Sequence, residues 1–289
     1  MLLEILQWMP QSEPQAHPQR NYAMNDFVFR QTNGLTYLVC EPIEQLGFIN
    51  AFSTRQATAS NEFTLGHFSV EQREQMASNR NRFKAAVSAP HATLVTAKQI
   101  HSADVRSLEN HEDALRDPQP GDALTANLAN LLLGIQTADC LPIVIVDART
   151  HAFAGIHAGW RGTWQEIVTR TVERMQQAYD SRPEDLHVAL GPAICAENFE
   201  VGPEVLAQFR SKFRYADDLI SNEQPNGKGH IDLNHCNTRQ LIDAGVRAEN
   251  IYDSALCTVA RNDLFFSYRK ERGHERYVGR LMCVVGQAE

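Results

Sequence analysis

A mixed α/β fold, one compact domain of β-sheets packed with helices, is predicted by three features of the sequence. Short apolar runs at 131–135, 143–147 and 152–156 are separated by turn-like residues, the pattern of strands buried on at least one face. After them, Trp164, Ile167, Val168, Val172, Met175 and Ala178 recur at the three-and-four spacing of a helix with one buried face, leaving Arg170, Glu173 and Arg174 for water. Strand-like and helix-like segments continue to alternate toward the C-terminus, with no internal repeat and no linker-like stretch.

Residues 1–22 carry Pro10, Pro14 and Pro18 among Gln, Ser and His, which predicts a loose extension before a domain spanning 23–289. From Phe27 short apolar runs alternate with turn residues, and AFSTR, ending at Arg55, closes the first strand-rich stretch. Residues 79–87 read as a helix. Residues 94–100 alternate as a strand that delivers His101 to an edge or end, and the acidic, proline-bearing stretch 107–121 reads as a surface loop. The run TWQE fits a capping box between Thr163 and Glu166, so a helix is expected to start there. A strand at 186–190, helices at 204–213 and 234–244, the second stopped by Gly245, and a strand at 277–285 complete the pattern.

The composition narrows the function. With 27 Lys and Arg against 35 Asp and Glu, the chain carries a formal charge of −8 and has no basic block, which argues against long nucleic acid as a partner. No apolar run approaches the ~20 residues needed to span a bilayer, so no membrane is expected. Glu4 interrupts the N-terminal apolar run and no basic segment precedes it, so the start fails as a secretory signal and a cytoplasmic location is expected. Six scattered cysteines without a CxxC suit a reducing compartment, as free thiols or metal ligands.

Reactive side chains concentrate at three expected strand ends: QIHSAD with His101 and Asp104, TADCLP with Asp139 and Cys140, and HAGWRGT with His157 and Arg161. Two imidazoles and one thiolate make a donor set for Zn²⁺, which in catalytic sites takes three protein ligands and keeps a fourth position open. Taken singly, each has a plainer reading: Cys140 as a small hydrophobe, His101 and His157 as hydrogen-bonded core histidines. Their separation along the chain does not by itself show that they meet. Gly155, Gly159 and Gly162 around His157 and Arg161 favour close approach of backbone to a ligand. Asp139 and Asp104 are candidate proton carriers, or turn-capping carboxylates. Trp160 and Phe265 are candidates to stack on a flat ligand, or core residues. Copper is disfavoured, because the eleven histidines form no His-x-His pair.

Taken in order, QIHSADV, GDALT followed by QTADCLPIVIVD, HAGWRGT, GPAIC with FEVG, and FFSYR with Gly279-Arg280 resemble the successive blocks of the multicopper polyphenol oxidase (laccase)-like, purine nucleoside phosphorylase family, which includes peptidoglycan editing factor-like proteins. The resemblance runs from about Phe52 to Val285. It implies a zinc-dependent enzyme that cleaves inosine, adenosine or guanosine with phosphate to free base and ribose 1-phosphate, with adenosine deaminase and methylthioadenosine phosphorylase as further activities. It implies His101, Cys140 and His157 as metal ligands and catalytic centre with Asp139 beside them, and it suggests Arg55 and Arg161 for anion binding. The chain departs from the family pattern at Gln56-Ala57-Thr58, where Gly-Gly is common, at Thr64-Leu65-Gly66, where Asn-Leu-Gly is common, and at Asn198-Phe199, where Cys-Tyr is usual. The alternative is a cysteine-dependent amide hydrolase in peptidoglycan precursor editing, with Cys140 as nucleophile and His157 or His101 as base.

Overall fold

In the strand Leu141–Asp147 all seven residues are buried, with Ile143 and Ile145 packed into one apolar cluster and Val144 and Val146 into another. A strand buried on both faces needs a covering layer on each side. Here one layer is a second sheet and the other is helical. The computed structural model describes residues 26–58, 62–66, 73–273 and 277–287. The predicted extension at 1–22 lies outside them.

One six-stranded sheet has the spatial order Phe27–Thr32, Leu35–Cys40, Ile49–Ala57, Leu281–Gln287, Leu131–Thr137, Thr93–Thr96. It is antiparallel except at the last pair. The other runs Ile251–Asp253, His187–Leu190, Leu141–Asp147, Ala152–Ala158, Ala123–Ala126, Val105–Ser107, antiparallel in the middle and parallel at both outer pairs. The two sheets pack face to face through Phe52, Leu133, Ile135, Val144, Val146 and Phe153. The outer face of the first is covered by the helix Arg73–Ala86, whose Phe83 and Ala86 meet Leu132, Met282 and Val284. The outer face of the second is covered by the helix Ile167–Tyr179 through Ile167, Val168, Val172 and Met175, with Leu241 of the helix Leu233–Asp243 beside them. Three short strands, Glu200–Val201, Gly229–Ile231 and Ile220–Ser221, form a small third sheet. This is the mixed α/β architecture expected from the periodicity, and no helix among the described residues is long and apolar enough to cross a membrane.

Several boundaries differ from the sequence expectation. The capping box does not form. Thr163 lies inside a short helix, Trp160–Trp164, where its hydroxyl accepts from the Asn237 side chain at 2.9 Å and its carbonyl from Gln240 at 2.9 Å. Glu166 is left-handed at φ 62° and pairs with Lys212 at 2.6 Å, and the long helix starts one residue later. Tertiary partners thus claim the groups that a local box would use. Ala178 is exposed rather than on the buried face. The strand expected at 94–100 stops at Thr96, the stretch 107–121 includes the short helix His111–Ala114 capped by Asn110, and the last strand is Leu281–Gln287.

Candidate active site

The hairpin register places two of the three candidate ligands. Leu141 pairs with Ala158 and Pro142 with His157, so Cys140, one residue before its strand, falls beside Gly159 and near His157. Strand alternation puts His157 on the same face as Phe153, toward the interior between the sheets. His101 arrives from the passage after the strand Thr93–Thr96 and is left-handed at φ 60°, a conformation costly for a residue with a Cβ and therefore held by something outside itself.

That something is Asp122, which is fully buried. Its Oδ2 accepts from the amides of Ile100 and Ser102 at 3.1 and 2.7 Å and from the Ser102 hydroxyl at 2.9 Å. Its Oδ1 accepts from the His101 amide at 3.0 Å and meets His157 Nδ1 at 2.7 Å, while its carbonyl accepts from the His157 amide at 2.7 Å. One carboxylate therefore shapes the turn that presents His101 and orients the ring of His157. With Nδ1 engaged, His157 is left Nε2 for a ligand.

One ligand atom from each of His101, Cys140 and His157 lies within 4.8 Å of the others. Cys140 Sγ and His101 Nε2 are 4.0 Å apart, close to the roughly 3.6 Å that separates a sulfur and a nitrogen on a tetrahedron with Zn–S of about 2.3 Å and Zn–N of about 2.05 Å. The two imidazole rings cross edge to face, with centroids 4.8 Å apart. Chemistry and spacing both fit a three-ligand zinc site. Gly159 makes it possible, because a Cβ there would stand 3.1 Å from Cys140 Sγ and 3.1 Å from His101 Cδ2. The other two glycines serve packing instead: Gly155 faces Ile135 across the sandwich, and Gly162 lies against the Ser102 carbonyl.

Burial pushes the Cys140 thiol up, but the charge of His157 and hydrogen bonds from both imidazoles outweigh it and bring the thiol down to about 6. For His157, burial disfavours the charged ring, and the Cys140 sulfur with the Asp122 hydrogen bond lifts it to about 9. Burial works against the Asp122 carboxylate as well, yet the hydrogen bonds from His157 and Ser102 hold it at about 2. Carboxylate, imidazole and thiolate alternate in charge, an arrangement ready to exchange protons for a cation.

The three residues open onto a cavity of about 740 Å³, also lined by Lys98, Gln99, Gln136, Tyr268 and Arg280. Gln99 is occupied in positioning, its side chain bonded both ways to the Gln136 backbone at 2.7 and 2.8 Å. Arg55 and Arg161 do not line this cavity. Arg55 sits over the Phe266 ring and pairs with Glu62 and Glu271 at 2.8 and 3.1 Å, and Arg161 is exposed over the Trp160 ring. Asp139 gives one oxygen to the Thr258 hydroxyl at 2.6 Å and the other to the Arg269 amide at 2.6 Å, and its backbone is left-handed at φ 89°. It holds the turn that carries Cys140. Asp104 is exposed. Phe265 is fully buried in a core cluster and Trp160 packs against another, so neither lines the cavity. The residues that sequence reasoning left unassigned are Asp122, Lys98, Tyr268 and Arg280. Three of them stand in GDALT, FFSYR and Gly279-Arg280, motif blocks that carried a resemblance without a role.

Residues 49–288 match the family model described as multi-copper polyphenol oxidoreductase laccase. The chain belongs to this family. A protein named adenosine deaminase RL5, from an unknown prokaryotic organism, is 38% identical over 183 residues, covering 61% of this chain and 70% of its own. A purine nucleoside phosphorylase of Deinococcus radiodurans is 36% identical over 211 residues, 73% of this chain and 77% of its own. The crystal structure of YlmD from Geobacillus stearothermophilus superposes with a TM-score of 0.79 at 30% identity, covering 90% of this chain and 99% of that one. The laccase-like name does not change the donor count, since among the described residues only His101, Cys140 and His157 group as three donors that could hold a metal ion.

Proposed function

We propose that this family member is a zinc-dependent purine nucleoside phosphorylase that also deaminates adenosine. The observation that carries the reading is a three-ligand cluster opening onto a nucleoside-sized cavity that Arg280 and Lys98 line with positive charge. The relatives named purine nucleoside phosphorylase and adenosine deaminase support it. Zinc held by His101, Cys140 and His157 would supply a Lewis acid facing the cavity. We place the anion against Arg280 and Lys98, which line the cavity, rather than against Arg55 or Arg161, which do not.

In phosphorolysis the C–N bond breaks as positive charge grows on the ribose, so a phosphate held beside C1′ both attacks and stabilises that charge. Arg280 suits this role. Its Nη1 donates to the Val278 and Gly279 carbonyls at 2.8 and 3.1 Å, which holds the guanidinium on the wall of the cavity that His101, Cys140 and His157 also line. Tyr268, 52% exposed on the cavity wall, offers a ring face to the purine. Asp122 fixes the His157 tautomer, and Asp139 fixes the turn of Cys140. Inosine, adenosine, guanosine and methylthioadenosine are the proposed nucleosides.

The test is zinc analysis of the purified protein together with incubation of inosine and adenosine with phosphate. Stoichiometric zinc, free hypoxanthine or adenine with ribose 1-phosphate, and inosine formed from adenosine are expected. Metal-replete protein that releases no base and no inosine refutes the reading.

A second reading has one observation of its own: Asp122, His157 and Cys140 stand in the order carboxylate, imidazole, thiol, as in cysteine amide hydrolases. It predicts protein that is active without zinc, cleaves a cell-wall peptide amide and is inactivated by alkylation of Cys140.

A further inference from the structure

The loop after the strand His187–Leu190 runs beside the loop after the strand Ile251–Asp253. Ala193 and Cys257 form a parallel bridge, with the Ala193 amide donating to Leu256 and the Thr258 amide to Ala193. That pairing brings two half-buried thiols together. Cys257 Sγ accepts from the Cys195 amide at 3.3 Å, and the side-chain amide of Asn198 lies 3.1 Å from Cys195 Sγ and 3.5 Å from Cys257 Sγ. The two are chemically unequal. Contact with the Cys195 thiol, opposed by burial and helped by the amides of Ala260, Cys195 and Val259, draws Cys257 down, whereas the same contact pushes Cys195 up. Two half-buried free thiols that share the Asn198 amide, one drawn down and the other pushed up, are arranged as a reactive cysteine beside its resolving thiol.

Both cysteines adjoin residues that hold Asp139. The Ile194 amide donates to the Asp139 carbonyl at 2.9 Å, and the Thr258 hydroxyl donates to its carboxylate at 2.6 Å. Asn198 takes part too: its carbonyl accepts from the Arg269 guanidinium at 2.8 Å, and the Arg269 amide binds the other Asp139 oxygen at 2.6 Å. Asp139 directly precedes Cys140.

We propose that Cys195 and Cys257 form a reversible, peroxide-responsive dithiol whose closure to a disulfide alters the hold on the turn that carries Cys140. The Cys257 thiolate attacks one oxygen of hydrogen peroxide; an S–O bond forms, the O–O bond breaks and hydroxide leaves. The Cys195 sulfur then attacks the sulfenic sulfur; the S–S bond forms, the S–O bond breaks, and water leaves with the Cys195 proton. The two sulfurs lose two electrons and the peroxide gains them. A small dithiol reverses the step. Drawing the two sulfurs into a bond displaces Ile194 and Thr258, the neighbours that grip Asp139.

The thiol chemistry stands apart from the metal reading, whereas its coupling to the site rests on that reading. Full-length zinc-loaded protein is treated with hydrogen peroxide, digested without reduction and analysed by mass spectrometry. A peptide linked through Cys195 and Cys257 and reopened by dithiothreitol is expected. In Cys195→Ser, dimedone should trap a sulfenic acid at Cys257. Transfer of zinc to a chelator should differ between oxidised and reduced protein by about two-fold to thirty-fold, the span of intramolecular couplings of this kind. Peroxide should leave that rate unchanged in the double variant Cys195→Ser, Cys257→Ser. Absence of the linked peptide, a sulfenic acid at Cys195 in Cys257→Ser but none at Cys257 in Cys195→Ser, or equal zinc transfer from both forms overturns the proposal. If the purified protein holds no zinc, the metal reading and the coupling fail together, and the linked peptide alone decides the thiol chemistry.

Discussion

Replacing Asp122 by Asn changes one oxygen to an amide NH₂ at a fully buried position and almost nothing else in shape. The magnitude follows from the donors that converge there. Oδ1 receives His157 Nδ1 and the His101 amide, and Oδ2 receives the amides of Ile100 and Ser102 and the Ser102 hydroxyl. Whichever end becomes NH₂, at least two donors then face a donor. The hydroxyl and one imidazole tautomer can adjust, but the backbone amides cannot. At about 1–3 kcal/mol for each buried unsatisfied group, one or two of them give a loss of about 1–6 kcal/mol. The same change unfastens the His157 ring, and loss of such a supporting carboxylate lowers metal affinity by about 10–100-fold. Urea unfolding of the metal-free protein reads the first effect, and zinc competition against a chromophoric chelator reads the second. Asp122→Asn with wild-type stability and wild-type zinc affinity would refute the claim that this carboxylate builds the site.

Three further outcomes are expected. Gly159→Ala should keep the fold by circular dichroism yet weaken zinc binding by at least about ten-fold, since its methyl would press on the Cys140 sulfur and the His101 ring; unchanged affinity in the chelator assay would count against the glycine's role. Arg280→Gln should raise KM for phosphate by about ten-fold or more in steady-state phosphorolysis while moving KM for inosine less, because a charge-assisted contact of roughly 1.5–3 kcal/mol is lost. His187, stacked on Tyr252 and bonded to its hydroxyl at 2.9 Å, has its pKa lowered from 6.5, chiefly by burial and against the pull of Asp185. Its neutral form is therefore favoured on folding, so its contribution is whole above pH 6.5 and is lost as pH falls through the lower folded value. Urea midpoints of wild type and His187→Phe between pH 7.5 and about 5 should diverge on the acid side, and parallel curves would contradict this.

Local pattern was enough for much of the scaffold. Alternating Ile and Val in 143–147, the apolar runs on either side and the stripe from Ile167 to Met175 determine strands, a helix and their buried faces, because periods of two and 3.6 residues are properties of the backbone itself. The three candidate ligands were legible as residue types standing near strand ends. Their meeting was not, since it depends on the Leu141 to Ala158 register and on a left-handed turn at His101 held by a carboxylate 21 residues further along the chain. For the same reason Thr163 could be mistaken for a cap: its preferred local partner loses to Asn237, 74 residues away.

The sequence by itself determined the elements, the donor chemistry and the family likeness, all of which reside in neighbouring residues. Only the tertiary structure decided that Asp122 organises the cluster, that Arg280 and Lys98 rather than Arg55 and Arg161 line its cavity, and that Cys195 meets Cys257. Those facts are set by which faces of distant strands and loops are pressed together, and side-chain direction at such contacts is a property of the packed core rather than of any segment within it.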